Sequence, residues 1–195
     1  MKVGMFGAEW ETLVQSGEAM LLTGTFHRSL DEKLRFAIPR PLRDSIGPEG
    51  SETLYVAPGT DGSLEIYSEE SFTRLAAQLE AGPRNDREVR AFNRLFYGQV
   101  QRVELDKQGR VRLPAELAQL ASLDKDIVLV GVRDHIEIWN FQRWEAYVSS
   151  TQPHYDELAE RVTPDLVGFP HPAKVAGVGV TPEFLPSERH AILPK

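Results

Sequence analysis

Apolar and polar positions alternate with period two in several short runs, and each run ends in turn-forming residues. Thr53-Leu54-Tyr55-Val56-Ala57, a Pro58 to Gly62 turn and Ser63-Leu64-Glu65-Ile66-Tyr67 read as strand, turn, strand. Asp126-Ile127-Val128-Leu129-Val130, a Gly131 to Asp134 turn and His135-Ile136-Glu137-Ile138-Trp139 read the same way. A helical segment follows each pair, over 69–81 and 141–148. Ser68 and Asn140 stand where an N-cap side chain would accept backbone N–H groups.

The two halves of this pattern repeat. Leu30 to Pro39 aligns with Leu105 to Pro114 at an offset of 75, matching Leu, Asp, Arg and Pro identically and pairing Ile38 with Leu113. Chance similarity would not preserve the order of so many elements, so the chain reads as a duplicated β-rich unit. Each unit predicts strand, tight turn, strand, short helix, strand, turn, strand, helix.

Between the units, Val89, Phe92, Leu95 and Phe96 recur at helical spacing. Asn85 or Asp86 serves as cap and Gly98 as stop, with Arg87, Arg90 and Arg94 on the exposed side. The expected organisation is an N-terminal extension over 1–23 and a first module over 24–81. The interdomain helix over 82–98 and a second module over 99–148 follow. A Pro-rich, mostly irregular tail covers 149–195 and holds a brief helix from Asp156 to Val162. Seven of the 13 prolines fall in that tail.

Each module opens on a turn between two strands. Asp106-Lys107-Gln108-Gly109-Arg110 is a hairpin signature, because Asp accepts backbone amides two residues on and Gly supplies positive φ. The first copy, Asp31-Glu32-Lys33-Leu34-Arg35, carries Leu34 where Gly is expected. Leu at positive φ is costly, so this turn is expected to differ in shape or to expose an apolar tip. Asp31, Asp106 and Gly109 are the turn-forming residues.

Composition narrows the function classes. The formal net charge is -7, which argues against nucleic acid unless arginines gather on one face. The chain has no Cys, so disulfides and thiolate metal sites are excluded and a reducing, cytoplasmic setting fits. No apolar run is long enough for a membrane span, and the N-terminus lacks a signal-peptide pattern. Five histidines are scattered without ligand spacing, so neither a metal nor a cofactor is expected. No nucleotide-binding loop, nucleophile elbow or zinc motif is present, and the chain reads as a non-enzyme. A hydrolase using paired carboxylates ranks far behind.

Gly24-Thr25-Phe26-His27-Arg28-Ser29-Leu30-Asp31, the doubled Asp-x-x-x-Arg, Pro39 and Pro114 opening helices, Glu137-Ile138-Trp139 and Arg87 to Phe96 together resemble the MraZ family. That family is built of two modules related to the AbrB and SpoVT regulators. The resemblance runs from about Met20 to Val148. It implies a mainly β fold with short helices, two tandem swapped-hairpin β-barrel modules, and a ring-like homo-oligomer. It further implies sequence-specific binding to tandem promoter repeats upstream of the cell-division and cell-wall genes, and so a nucleoid-associated protein. Arg35 is carried over most directly as a DNA contact, with Arg110 as its repeat mate and Arg28, Lys33 and Lys107 beside them. A two-stranded β-ribbon fits the major groove and Arg reads guanine there, which agrees with this assignment. The competing reading is a protein-interaction module, antitoxin-like or scaffold, that keeps the fold without specific DNA binding.

Overall fold

A computed structural model describes residues 21–46, 53–80 and 86–162. The strands are β1 (Thr25–Ser29), β2 (Arg35–Ala37), β3 (Thr53–Pro58), β4 (Leu64–Ser68), β5 (Gln101–Glu104), β6 (Arg110–Arg112), β7 (Asp126–Val132) and β8 (His135–Asn140). The helices are α1 (Arg40–Ile46), α2 (Glu69–Glu80), α3 (Arg87–Gln99), α4 (Ala115–Leu120), α5 (Phe141–Thr151) and α6 (Tyr155–Val162). The two strand-rich runs thus fold as their period-two patterns predict.

The duplicated halves interlock. Six strands form one sheet in the order β1-β7-β8-β4-β3-β5, and β2 pairs with β6 in a separate two-stranded ribbon. Reading that order from either end gives the same sequence of repeat-equivalent strands, so a pseudo-two-fold axis relates the halves. It passes between Glu65 and Glu137, register partners in β4 and β8, and between Phe36 and Val111, partners in β2 and β6. The strands on either side of each opening turn therefore do not form a ladder with each other. β1 crosses to β7 and β5 crosses to β3. Each half gives up its own hairpin and completes the other's sheet, which suits the mainly β, swapped-hairpin fold class.

The core lies between the sheet and the ribbon. Leu54, Val56, Leu64, Ile66, Ile127, Leu129, Ile136 and Ile138 from the sheet meet Phe36 and Val111 from the ribbon, and all are buried. Alternation puts these residues on one face and leaves Tyr55, Ala57, Glu65, Tyr67, Val128, Glu137 and Trp139 on the other. Leu42 and Leu117, from α1 and α4, close the core. Both helices follow a proline, whose carbonyl accepts the N–H of Arg43 or Ala118; proline's fixed φ suits this entry position.

Several boundaries move. Leu22, read within an N-terminal extension, is buried at 2% exposure and bridges to Arg133. Gly131 permits that approach, since a side chain there would collide with the backbone of Leu22 and Thr23. Helix α3 passes through Gly98, read as its stop, to a C-cap at Val100, whose N–H donates to the Phe96 carbonyl. Its start is as expected, with Asp86 accepting the Glu88 N–H at 2.7 Å. Ser68 and Asn140 likewise cap α2 and α5.

Helix α5, read as ending at Val148, runs on to Thr151. The chain divides into two compact units after Ser149. Within the second, a 3₁₀ turn over Gln152–His154 leads into α6, which coincides with the brief helix expected from Asp156 to Val162. Residues 1–20 and 163–195, which hold most of the extension and of the tail, lie outside the described residues.

Candidate nucleic-acid interface

The opening turns are built by their aspartates. Asp31 accepts the N–H of Lys33 at 2.8 Å and of Arg35 at 2.9 Å through Oδ1, and the Arg35 Nε at 2.8 Å through Oδ2. Asp106 repeats this with Gln108, Arg110 and Arg110 Nε at 2.8, 3.0 and 2.7 Å. These bonds hold both carboxyls below the usual carboxylate range. For Asp31 the Arg35 side chain contributes most and the value falls to about 2. For Asp106 the Arg110 backbone N–H contributes most.

The first turn does not differ in shape. Leu34 takes φ 56° where Gly109 takes φ 71°, so both turns use the same left-handed position. Its side chain is half-buried against the core and does not form an exposed tip. The two turns also join the opposite strands, Leu34 accepting the Leu113 N–H at 2.9 Å and Gly109 accepting the Ile38 N–H at 3.0 Å. Apolar packing and cross-strand bonding together hold Leu in a conformation it disfavours alone.

Between these turns lies the β2–β6 ribbon. Phe36 and Val111 point into the core, so Arg35, Ala37, Arg110 and Arg112 share the outward face. Arg35 stands directly opposite Arg112, and Arg110 opposite Ala37. Like charges facing each other across a ladder are unfavourable, and Asp31 relieves only the Arg35 side of that pair. Lys33 and Lys107 are exposed at the turn tips. Arg43, from α1, lies over Gly109, where an added Cβ would fall 2.3 Å from its Nη1.

Of the residues singled out in the sequence, Arg35, Arg110, Lys33 and Lys107 come together with Asp31, Asp106 and Gly109 around the ribbon. Arg28 does not join the ribbon. It sits on the edge strand β1, half-buried, and donates from Nη1 to the His27 carbonyl at 2.7 Å. Arg112, a basic residue of the second hairpin not singled out as a DNA contact from the sequence, joins this face, as alternation in Arg110-Val111-Arg112 puts both arginines on one side of the strand.

A second surface lies on α3. Phe96 is buried, whereas Phe92, Leu95 and Tyr97 are exposed at 49, 66 and 40%. Arg87, Arg90 and Arg94 are exposed on the same helix.

Comparison with known proteins agrees with this architecture. The family model described as "MraZ protein, putative antitoxin-like" matches twice, over residues 21–95 and 96–164. A protein of Heliobacterium modesticaldum named transcriptional regulator MraZ is 37% identical over 142 residues, 73% of this chain and 96% of the relative. One of the same name from Lactiplantibacillus plantarum is 40% identical over 139 residues, 71% of this chain and 96% of its own length. With two tandem matches and relatives aligned over nearly their whole length, the chain belongs to the MraZ family.

Proposed function

We propose that this chain is a sequence-specific DNA-binding transcriptional regulator that presents its β2–β6 ribbon to the major groove. The observation that carries this reading is the ribbon's outward face, where Arg35, Arg110 and Arg112 lie side by side above a buried apolar underside. A two-stranded ribbon has the width of the groove, and paired guanidinium N–H groups match guanine O6 and N7. The facing Arg35–Arg112 pair gains a counter-charge when a phosphate or base edge approaches. Lys33 and Lys107 hold phosphates from the turn tips, and Arg28 contributes from the flanking strand. Asp31 and Asp106 act as structural carboxylates that fix the arginines, so no catalytic role is assigned to them.

One ribbon per chain, diluted by Asp31, Glu32 and Asp106 and carried on a chain of net charge -7, binds a single site weakly. Several ribbons in a ring-like homo-oligomer on tandem promoter repeats gain by avidity. The exposed apolar residues of α3 supply a surface for that assembly. The targets are repeats upstream of cell-division and cell-wall genes, in a cytoplasmic protein associated with the nucleoid.

The test is a fluorescence-anisotropy titration on DNA from upstream of the chain's own gene, against scrambled DNA, at two salt concentrations. Tight, specific and salt-sensitive binding is expected, with log affinity falling by about 0.9 per log salt for each phosphate neutralised. Arg112→Ala should weaken specific binding by about 1–3 kcal/mol per base contact. Equal, weak binding to both DNAs would favour a protein-interaction module instead.

A further inference from the structure

The pseudo-two-fold axis also crosses the outer face of the sheet, where β4 and β8 set Glu65 directly opposite Glu137. Two carboxylates facing each other across a ladder are unfavourable, and both are half-buried, at a depth where water compensates them poorly. His135, two residues from Glu137, joins them. One ligand atom from each of Glu65, His135 and Glu137 lies within 4.8 Å of the others. The ribbon plays no part in this cluster.

Each of the three side chains is oriented by a neighbour. Tyr67 donates its hydroxyl to Glu65 Oε2 at 2.6 Å, and Trp139 donates Nε1 to Glu137 Oε2 at 2.8 Å. His135 Nδ1 lies 3.1 Å from Asp134 Oδ1. Donation of Nδ1–H to that carboxylate, the tautomer a metal ion would select, leaves Nε2 with a lone pair for the ion. That Nε2 faces Glu137 Oε1 across 3.8 Å, too long for a hydrogen bond. Two donors held about 2.1 Å from one tetrahedral ion stand roughly 3–3.5 Å apart, so small side-chain rotations close the set. Three carboxyl groups, those of Glu65, Glu137 and Asp134, thus surround one imidazole, and a divalent cation held among them would balance that charge.

We propose that Glu65, His135 and Glu137 form a three-ligand site for a divalent transition ion of the Zn²⁺ class, stapling the two halves of the chain together at their symmetry axis. One imidazole with two carboxylate oxygens suits that class better than the all-oxygen shells of Ca²⁺ or Mg²⁺. Glu65 comes from β4 of the first half, and His135 and Glu137 from β8 of the second. The ion therefore bridges the central strand pair and stabilises the folded form. Trp139, hydrogen-bonded to a ligand, reports its arrival.

The test uses the full chain, stripped with EDTA and titrated with ZnCl₂ by calorimetry while Trp fluorescence is followed. One high-affinity equivalent is expected, with a change in Trp emission and a Tm raised by about 5 °C at saturation. Glu65→Gln, His135→Gln and Glu137→Gln should each weaken that equivalent by 100-fold or more, and Trp139→Phe by about 10-fold. Circular dichroism checks that the near-isosteric variants fold. Co²⁺ absorption of the unsubstituted chain reads coordination independently, with an intense four- or five-coordinate spectrum expected. A weak aquo-type Co²⁺ spectrum, absence of the Zn²⁺ equivalent, or an equivalent that survives in all three ligand variants would overturn the site.

Discussion

Leu34→Gly would make the first opening turn chemically like the second, and the structure sets the sign of its effect. Leu34 sits at φ 56°, a conformation that costs a side-chain-bearing residue about 1–2 kcal/mol. Glycine removes that cost. It also adds about 0.5–1 kcal/mol of backbone entropy to be lost on folding. Leu34 is half-buried against the core, and full burial of Leu contributes about 1.5–3 kcal/mol, so roughly half of that disappears. The losses exceed the relief by a small margin, and the variant should be less stable by about 0.25–0.5 kcal/mol. Urea unfolding at fixed protein concentration, followed by fluorescence, should show the midpoint falling by about 0.1–0.3 M with an unchanged m-value. A variant more stable than the parent would refute the reasoning, because it would mean that Leu34 packs against nothing that matters.

Other consequences follow from the same geometry. Gly109→Ala should destabilise by about 1–2 kcal/mol, since its φ of 71° disfavours a Cβ and the Arg43 guanidinium above it must shift; chemical unfolding measures this. Leu22→Ala should cost about 2–5 kcal/mol, because Leu22 is buried at 2% exposure, whereas a disposable extension would lose nothing in the same thermal melt. The Asp31 carboxyl is depressed to about 2 by the Arg35 side chain. Its contribution is therefore intact above pH 4, the ordinary carboxylate range, and is lost as pH falls through about 2. Carboxyl chemical shifts from NMR should titrate there, and an Asp31 midpoint near 4 would remove the Arg35 bond. Leu95→Glu on α3 should reduce the assembled mass seen by light scattering while leaving the monomer fold intact.

Much of this fold could be read from local pattern. Period-two alternation located the four strands of the two strand pairs, and Ser68, Asn140 and Asp86 marked helix starts because capping chemistry is local. The duplication was visible as an offset. Pairing between the halves was not written in either half: β1 chooses β7 over β2 for reasons of whole-molecule packing that no window of sequence contains. The resemblance to a known family supplied the swapped topology that the residues alone left open. The ribbon shows the same division. Asp31, Asp106, Arg35 and Arg110 were legible as turn chemistry, but the juxtaposition of Arg35 and Arg112 requires the antiparallel register of β2 and β6. Gly98 misled because a glycine inside a helix carries the same letter as one that ends it.

The pseudo-symmetry gives a way to separate folding from function within one chain. Where both halves keep the same residue at a position the backbone needs, as with Asp31 and Asp106 or Pro39 and Pro114, the fold alone accounts for it. Where the halves differ, the fold tolerates either residue. Arg112 stands where the first half has Ala37, and Gln108 stands where it has Lys33. These exchanges move positive charge along the ribbon without altering its register, so the face presented outward is not two-fold in chemistry although it is two-fold in backbone. An asymmetric ribbon on a symmetric scaffold has one preferred direction along a duplex. Directionality matters for tandem repeats, which run head to tail, and is wasted on palindromes. On the proposed reading of the ribbon as the DNA contact, the unequal turns are therefore a further reason to look for direct repeats among its target sites.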